Sequence, residues 1–416
     1  MVAEAVRHLY VHVPFCRTRC AYCDFASEAL RPAARNRVAV AYLVSLREEL
    51  DTWRSLLNPR LDTVYVGGGT PTHLPAETLL DMVRMATAGT PAAAGIDEGG
   101  RAGAGSVLSG EPWPREVTVE ANPESLEEVT LRRLLAEGVT RLSVGIQSFD
   151  ASLRRVLGRR VADEDIRRAC ALPRACGLQN WNIDLIFGVP GQSWVQAERD
   201  LARAVVAEPA HISLYDLTYT PRFAGGLARL LGPGAQARAQ AFAERHYERA
   251  VTLLEREGYG RYEVSNFARP GFECRHNQAY WRGHDYLGVG AGAVSTVERW
   301  RWTNPAPSEV YCRTWAPGRR EQSIRTLDGD RLASLGMAVE ELTSRTKLFE
   351  LAMLGLRTRH GVPRRLVEPV LDQARTAILL ERGVLEERCG TLTVSAGGLN
   401  VVNAVLSAIL LPPAAE

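Results

Sequence analysis

Apolar runs rich in β-branched residues recur along the first half of the chain, at 9–15, 63–68, 116–121, 141–148, 180–187 and 211–218. They read as strands buried on both faces, the pattern of a parallel sheet. Between them, apolar positions return at helical spacing over 34–57, 76–85, 126–137, 151–157 with 163–176, and 194–208. Glu137–Gly138 and Cys176–Gly177 mark two helix ends, and Ser125, with Glu128 three residues on, reads as a helix cap. Six strands joined by helical crossovers predict an α/β fold with a parallel sheet, open or curved into a partial barrel.

Three stretches depart from this rhythm. Residues 88–114 are rich in Ala, Gly, Pro and Ser and read as a flexible surface insertion in a core spanning 1–225. Gly225–Gly226 and Gly232–Pro233–Gly234 punctuate a linker. A long helix at 235–257 follows, then an irregular segment rich in aromatics and glycine, so that 226–325 forms a second region. From 326 to 416 the order is helix, helix, a turn at Gly383, a short hairpin at 384–394, and helix. That order predicts a small winged-helix-like C-terminal domain, read as a docking or lid module.

Composition narrows the function classes. The 416 residues are 46% hydrophobic and 24% charged, which suits a globular protein with a core large enough for a sizeable cofactor. A net charge of +2, from 50 basic and 48 acidic residues, gives no electrostatic footprint for nucleic acid. No apolar run reaches the roughly 18–20 residues that span a bilayer. Glu4, Arg7 and His8 stand where a signal peptide would place its apolar stretch, so a cytoplasmic location is expected. Lys347 is the only lysine, so the Gly-Lys-Ser/Thr of a phosphate-binding P-loop is missing.

Three of the eight cysteines fall within eight residues, as Cys16-x-x-x-Cys20-x-x-Cys23, directly after the first strand. In a cytosolic chain such a cluster points to metal or redox chemistry. Three thiolates on one loop can hold three irons of a 4Fe-4S cubane, leaving the fourth open to a chelating small molecule. A structural zinc needs a fourth ligand, for which His12 is the nearest candidate. Gly67-Gly68-Gly69-Thr70-Pro71 follows the second strand, and its glycines let backbone approach a ligand. Glu120, Gln147 with Ser148, and Asp184 lie at or near later strand ends. That is the rim where α/β barrels build their sites.

The three-cysteine loop and the Gly-Gly-Gly-Thr-Pro turn resemble those of radical S-adenosylmethionine (SAM) proteins. Tyr10-Val-His-Val-Pro-Phe-Cys16, Glu120-Ala-Asn-Pro, Arg141-Leu-Ser-Val-Gly-Ile-Gln147-Ser-Phe, Leu157-Gly158-Arg159 and Asp184-Leu-Ile-x-Gly-x-Pro are similar to the oxygen-independent coproporphyrinogen III oxidase-like family. The resemblance covers nearly the whole chain. It implies a partial parallel (β/α)6 barrel of the radical SAM type, a 4Fe-4S cluster on Cys16, Cys20 and Cys23, and SAM chelating the open iron. Gly68, Gly69 and Thr70 would face the methionyl end, with Glu120 near. Tyr10 and Tyr22 would flank the cofactor. Gln147, Arg159 and Asp184 would hold polar parts of one SAM or of a second. An electron donor for the cluster is implied as a partner.

Within that family the oxidases carry a fourth cysteine two residues after the third, where this chain has Phe25, and a longer N-terminal extension. A histidine two positions past the Leu-Gly-Arg segment is here Val161. These departures, with Arg275-His276-Asn-Gln-Ala-Tyr280-Trp281, resemble the heme-chaperone branch. That branch implies heme and an acceptor hemoprotein as partners, with no residue given a catalytic role. His276 offers an imidazole to heme iron, and Tyr280 and Trp281 offer flat apolar surface. An aromatic packing corner explains the same residues, and Cys274 and His284 are rival ligands. Porphyrinogen oxidation is the alternative activity. Peripheral membrane contact and a homodimer stay open.

Overall fold

The computed structural model describes residues 5–88, 114–232, 234–318 and 326–412. The insertion expected at 88–114 lies outside the described residues apart from its two end positions. All six expected strands form: β1 (His8–Val13), β2 (Thr63–Gly68), β3 (Glu116–Ala121), β4 (Arg141–Gln147), β5 (Trp181–Phe187) and β6 (His211–Asp216). They pair in parallel, in sequence order. The crossovers are α1 (Pro32–Trp53), α2 (Ala76–Thr87), α3 (Glu128–Ala136), α4 (Ala151–Val156), α5 (Asp163–Ala175) and α6 (Trp194–Val206).

The strands are not apolar on both faces. Leu9, Val11 and Val13 of β1 with Val64 and Val66 of β2 pack under α1 and α2, on Leu46, Leu50, Leu79 and Val83. The alternate positions are polar: His8, Tyr10 and His12, then Thr63 and Tyr65, Thr118 and Glu120, Arg141 and Ser143, Asn182 and Asp184. This period of two gives the sheet an oily outer face and a hydrogen-bonding inner face. The curved sheet encloses the inner face, so its polar groups must find partners across the lumen.

Two local readings need correction. Ser125 does not cap α3. It closes a 3-10 turn at Pro123–Ser125, and its hydroxyl pairs with Thr72 Oγ1 at 2.7 Å, while Glu127 takes the cap position. Gly225 and Gly226 are not linker. They lie inside α7 (Pro221–Leu231), capped by Thr220 and docked through Phe223 and Leu227. That apolar face outweighs the helix cost of two glycines, about 1 kcal/mol each. The break comes at Gly232 and Gly234, whose φ angles are 79° and 76°.

The segment after 226 also completes the sheet. After α8 (Ala235–Arg256) come β7 (Gly260–Arg261), β8 (Asn266–Ala268), α9 (Arg275–Trp281) and β9 (Leu287–Val289). The order across nine strands is β9-β1-β2-β3-β4-β5-β6-β8-β7. β9 adds parallel to β1, and β8 adds antiparallel to β6. A partial barrel results, as expected.

Many aromatics of this region are core. Trp302 and Trp315 pack on Trp53 of α1, with ring centroids 5.5 and 6.1 Å away. Ala338–Glu341 joins Trp300–Thr303 in a separate antiparallel sheet. Beyond it, helices Ser344–Gly355, Gln373–Glu381 and Val402–Ile409 surround a three-stranded antiparallel sheet with its own core. This is the smaller C-terminal domain that the order of elements predicts. No helix among the described residues is long and apolar enough to cross a membrane.

Candidate functional site

The C-terminal strand ends open into a cavity of about 540 Å³, within the range of cofactor sites. Cys16, Cys20 and Cys23 stand on its wall with Tyr22, Gly68, Gly69, Thr70, Glu120, Gln147, Arg159 and Asp184. Eleven of the thirteen residues expected at the site therefore share one space.

The glycine turn owes its composition to protein contacts. A Cβ on Gly67 would meet Tyr65 at 2.7 Å and the Glu120 carboxyl at 2.8 Å. On Gly68, whose φ is 112°, it would lie 2.4 Å from the His12 ring, and on Gly69 2.7 Å from the Phe15 carbonyl. The turn presses on the start of the cysteine loop: the Thr70 N–H donates to Phe15 O at 2.8 Å, and the Thr70 hydroxyl to Cys16 Sγ at 3.6 Å.

A chain of hydrogen bonds runs from that threonine around the rim. Asn122 Nδ2 donates to Thr70 Oγ1 at 2.8 Å. Arg159 Nη2 donates to Asn122 Oδ1 at 2.9 Å and to Gly145 O at 2.7 Å. Arg159 is buried and also engages Tyr22 and Cys20. Gly158 lets the loop pass, since a Cβ there would lie 3.0 Å from Ala21 N. Asn122, the third residue of the Glu120-Ala-Asn-Pro motif and absent from the expected site residues, is the bridge.

The acids here are held in reserve. Glu120 accepts from Tyr65 Oη at 2.7 Å and from Gly68 N at 2.9 Å. Burial, partly offset by these bonds, pushes its carboxyl up to about 7. Asp184 accepts from Asn182 at 2.8 Å and Ser143 at 3.1 Å, and burial raises it too. Gln147 ends β4 with φ 67°, beside a register shift between β4 and β5. Such strain at a strand end directs a side chain into a site. Tyr65, Ser143 and Tyr215 complete the wall. Their signal in the sequence was the period-two placement with Glu120 and Asp184.

Tyr10 and His276 are placed elsewhere. Tyr10 stands a layer below, its hydroxyl 2.9 Å from His12 Nδ1. Both nitrogens of His12 are engaged, Nε2 with Ala26 O at 2.8 Å, so His12 is no zinc ligand. His276, expected to offer a nitrogen to heme, lies in a closed aromatic setting. Its ring is 1% exposed, at the opposite end of the strands from the cysteines. His276 Nδ1 lies 2.7 Å from Thr63 Oγ1, and Tyr65, Tyr10 and Tyr280 box the ring at 5.1, 6.4 and 5.0 Å. α9 plugs the barrel floor, and the packing-corner reading fits. Cys274 is fully buried, its thiol donating to Glu116 and pushed by burial up to about 12. Of the three candidate iron ligands only His284 is exposed; its Nδ1 lies 3.2 Å from His8 Nε2.

The residues at the mouth fit a three-cysteine cluster with a chelating ligand. All three thiols face one cavity, and the buried Arg159 Nε beside them has no protein partner. Burial drives the Cys16 thiol up to about 11, so ligation by thiolate requires a bound cation to offset desolvation.

Comparison with known proteins agrees with the site. Residues 10–204 match the radical SAM superfamily. The chain is similar to heme chaperone HemW of Escherichia coli (strain K12), 36% identical over 293 residues, 70% of each chain. It is also similar to HemW of Mycobacterium tuberculosis (strain ATCC 25618 / H37Rv), 33% identical over 408 residues, 97% of this chain and 94% of that protein. Among solved structures, coproporphyrinogen III oxidase (HemN) from Escherichia coli, a radical SAM enzyme, shares the fold with a TM-score of 0.73. It is 22% identical and covers 97% of this chain and 90% of that one.

Proposed function

We propose that this chain, which belongs to the HemW family of radical SAM proteins, works as a cytoplasmic heme chaperone that binds heme and hands it to a respiratory or other hemoprotein. The observation that carries this reading is the length of the likeness. Proteins called heme chaperones align over up to 97% of the chain, the C-terminal domain included. Phe25 agrees with it. At the position where the oxidases have a fourth cysteine, this chain puts an apolar ring, 65% exposed at the cavity mouth.

In this reading Cys16, Cys20 and Cys23 hold a 4Fe-4S cluster, and the glycine turn, Glu120, Gln147 and Asp184 hold SAM. When bound, cluster and SAM supply one-electron chemistry. The chain's own part is positional. Thr70 supports Cys16 by its hydroxyl, and Asn122 and Arg159 fix Thr70 and the loop. Gly68 N orients the Glu120 carboxyl towards the cavity.

The test is an anaerobic assay of cluster-loaded protein with SAM, a reductant and coproporphyrinogen III, followed by a heme titration. The expected result is heme uptake and transfer to an apo-hemoprotein without porphyrinogen turnover. Sustained formation of protoporphyrinogen would sink the chaperone reading and select the oxidase.

A further inference from the structure

We infer that Asn182 and His211 are positioning residues for Asp184. With Tyr262 they form a hydrogen-bonded relay that turns the Asp184 carboxylate towards a donor group of the ligand in the cysteine-lined cavity. This rests on the proposed reading that the cavity holds SAM. Strand register lays the relay out. Ser143 of β4, Asn182 of β5 and His211 of β6 stand side by side on the inner face, and Asp184 and Ser213 pair in the next layer towards the cavity. Asn182, His211 and Tyr262 are buried, whereas Asp184 lies on the cavity wall.

Only one direction of donation satisfies the chain. The carboxylate oxygens of Asp184 accept, so the Asn182 amide presents Nδ2 to Oδ1 at 2.8 Å and to Ser143 Oγ at 2.7 Å. The Ser143 hydroxyl then donates to Asp184 Oδ2 at 3.1 Å. Asn182 Oδ1 faces His211 Nδ1 at 2.7 Å and accepts from Ser213 Oγ at 3.2 Å. An amide oxygen cannot donate, so His211 carries its hydrogen on Nδ1. Burial keeps that ring neutral, which leaves a lone pair on Nε2, and the Tyr262 hydroxyl donates to it at 2.8 Å. Tyr262 is fixed in turn by the C-terminal domain, where Arg359 N donates to its carbonyl at 3.0 Å.

An aliphatic pair at 182 and 211 would fill the lumen without these constraints. A fully satisfied polar chain instead fixes one rotamer and one tautomer at each step. It ends in a single group that faces the cavity. One hydrogen on each oxygen, together with the Arg141 charge, favours ionised Asp184 against the pull of burial. The carboxylate therefore meets the ligand as an acceptor, and the ligand group it takes is a donor, a hydroxyl or an ammonium.

The first test concerns the tautomer. Nitrogen NMR of the histidine-labelled full chain, assigned by the signal lost in His211→Asn, should show the His211 hydrogen on Nδ1; a hydrogen on Nε2 overturns the inference. The second is calorimetric SAM binding to anaerobic, cluster-loaded protein, with iron content and melting temperature recorded for each variant. His211→Leu should weaken the SAM Kd about tenfold. His211→Asn, whose Nδ2 takes the place of Nδ1, should stay within about threefold. In an Asp184→Asn background His211→Leu should have no further effect. An equal loss in both backgrounds marks a structural role and overturns the inference. Where His211→Leu does not fold, Tyr262→Phe removes one hydroxyl and is compared in the same two backgrounds, with a loss of about threefold expected only beside Asp184. Cluster-loaded protein that binds no SAM would sink the reading of the cavity and this inference with it. SAM bound equally tightly by the unchanged protein and His211→Leu would sink the inference alone.

Discussion

Asn122 reaches from the end of β3 to Thr70, Nδ2 to Oγ1 at 2.8 Å, and so ties one rim strand to the turn that faces Cys16. Through Oδ1 the same side chain receives Arg159, whose guanidinium also holds the Gly145 carbonyl. One amide therefore couples the cysteine loop, the glycine turn and β4.

Replacing that amide tests the coupling. Asn122→Ala frees Thr70 and leaves Arg159 one acceptor short, a loss of about 1–3 kcal/mol. The expected outcome is lower iron content after reconstitution and a SAM Kd weaker by roughly tenfold, read by iron analysis and calorimetry. Full cluster loading with an unchanged Kd would remove Asn122 from the site.

Glycine positions should split by environment. Gly68→Ala places a methyl against the His12 ring at a φ of 112° and should cost about 2 kcal/mol or more. Gly225→Ala meets open space on a helix and should stabilise by about 0.5–1 kcal/mol. Paired denaturant melts settle both signs. Only the first variant should also lose cluster, because Gly68 lines the cavity.

His276→Ala should act on stability rather than on heme. It opens a hole among Tyr65, Tyr10 and Tyr280 and strips Thr63 of a partner, about 2–4 kcal/mol together. Below its melting temperature the folded variant should bind heme within about threefold of the unchanged protein, by Soret titration. A well-folded variant that takes up no heme would return the iron to His276.

Glu49 makes stability depend on pH. It is fully buried in α1 and accepts from Gly290 N at 2.8 Å, Tyr311 Oη at 2.6 Å and Asn304 Nδ2 at 2.6 Å; burial nonetheless pushes its carboxyl up to about 7. The folded protein thus keeps a proton that the unfolded chain releases near its ordinary pKa of about 4.3. This contribution is full below that value and is lost as pH rises to about 7, by about 3 kcal/mol in all. Glu49→Gln lacks this dependence. Relative to the unchanged protein it should be least stable near pH 4 and recover towards pH 8. A pH-independent difference in melting temperature would refute this account.

The site was more legible than its surroundings for a physical reason. Cluster cysteines lie close in sequence because one short loop must present them together, so Cys16, Cys20 and Cys23 announce themselves. Glu120, Gln147 and Asp184 are legible because parallel strands end on one rim. His276 looked equally informative, since a histidine followed by tyrosine and tryptophan suits a heme. Its use depends on which end of the barrel α9 closes, and residue type carries no such information. Gly225 and Gly226 misled because the buried faces of Phe223 and Leu227 outweigh local propensity.

The sequence by itself determined the strand–helix order, the cysteine loop and the glycine turn, because hydrophobic period and motif spacing are local properties of the chain. The closing of the floor by α9, the addition of β9 beside β1 and the bridge at Asn122 were decided only by the tertiary structure. Each joins residues far apart in sequence, and their energies come from burial and from hydrogen bonds that exist only once the strands are side by side.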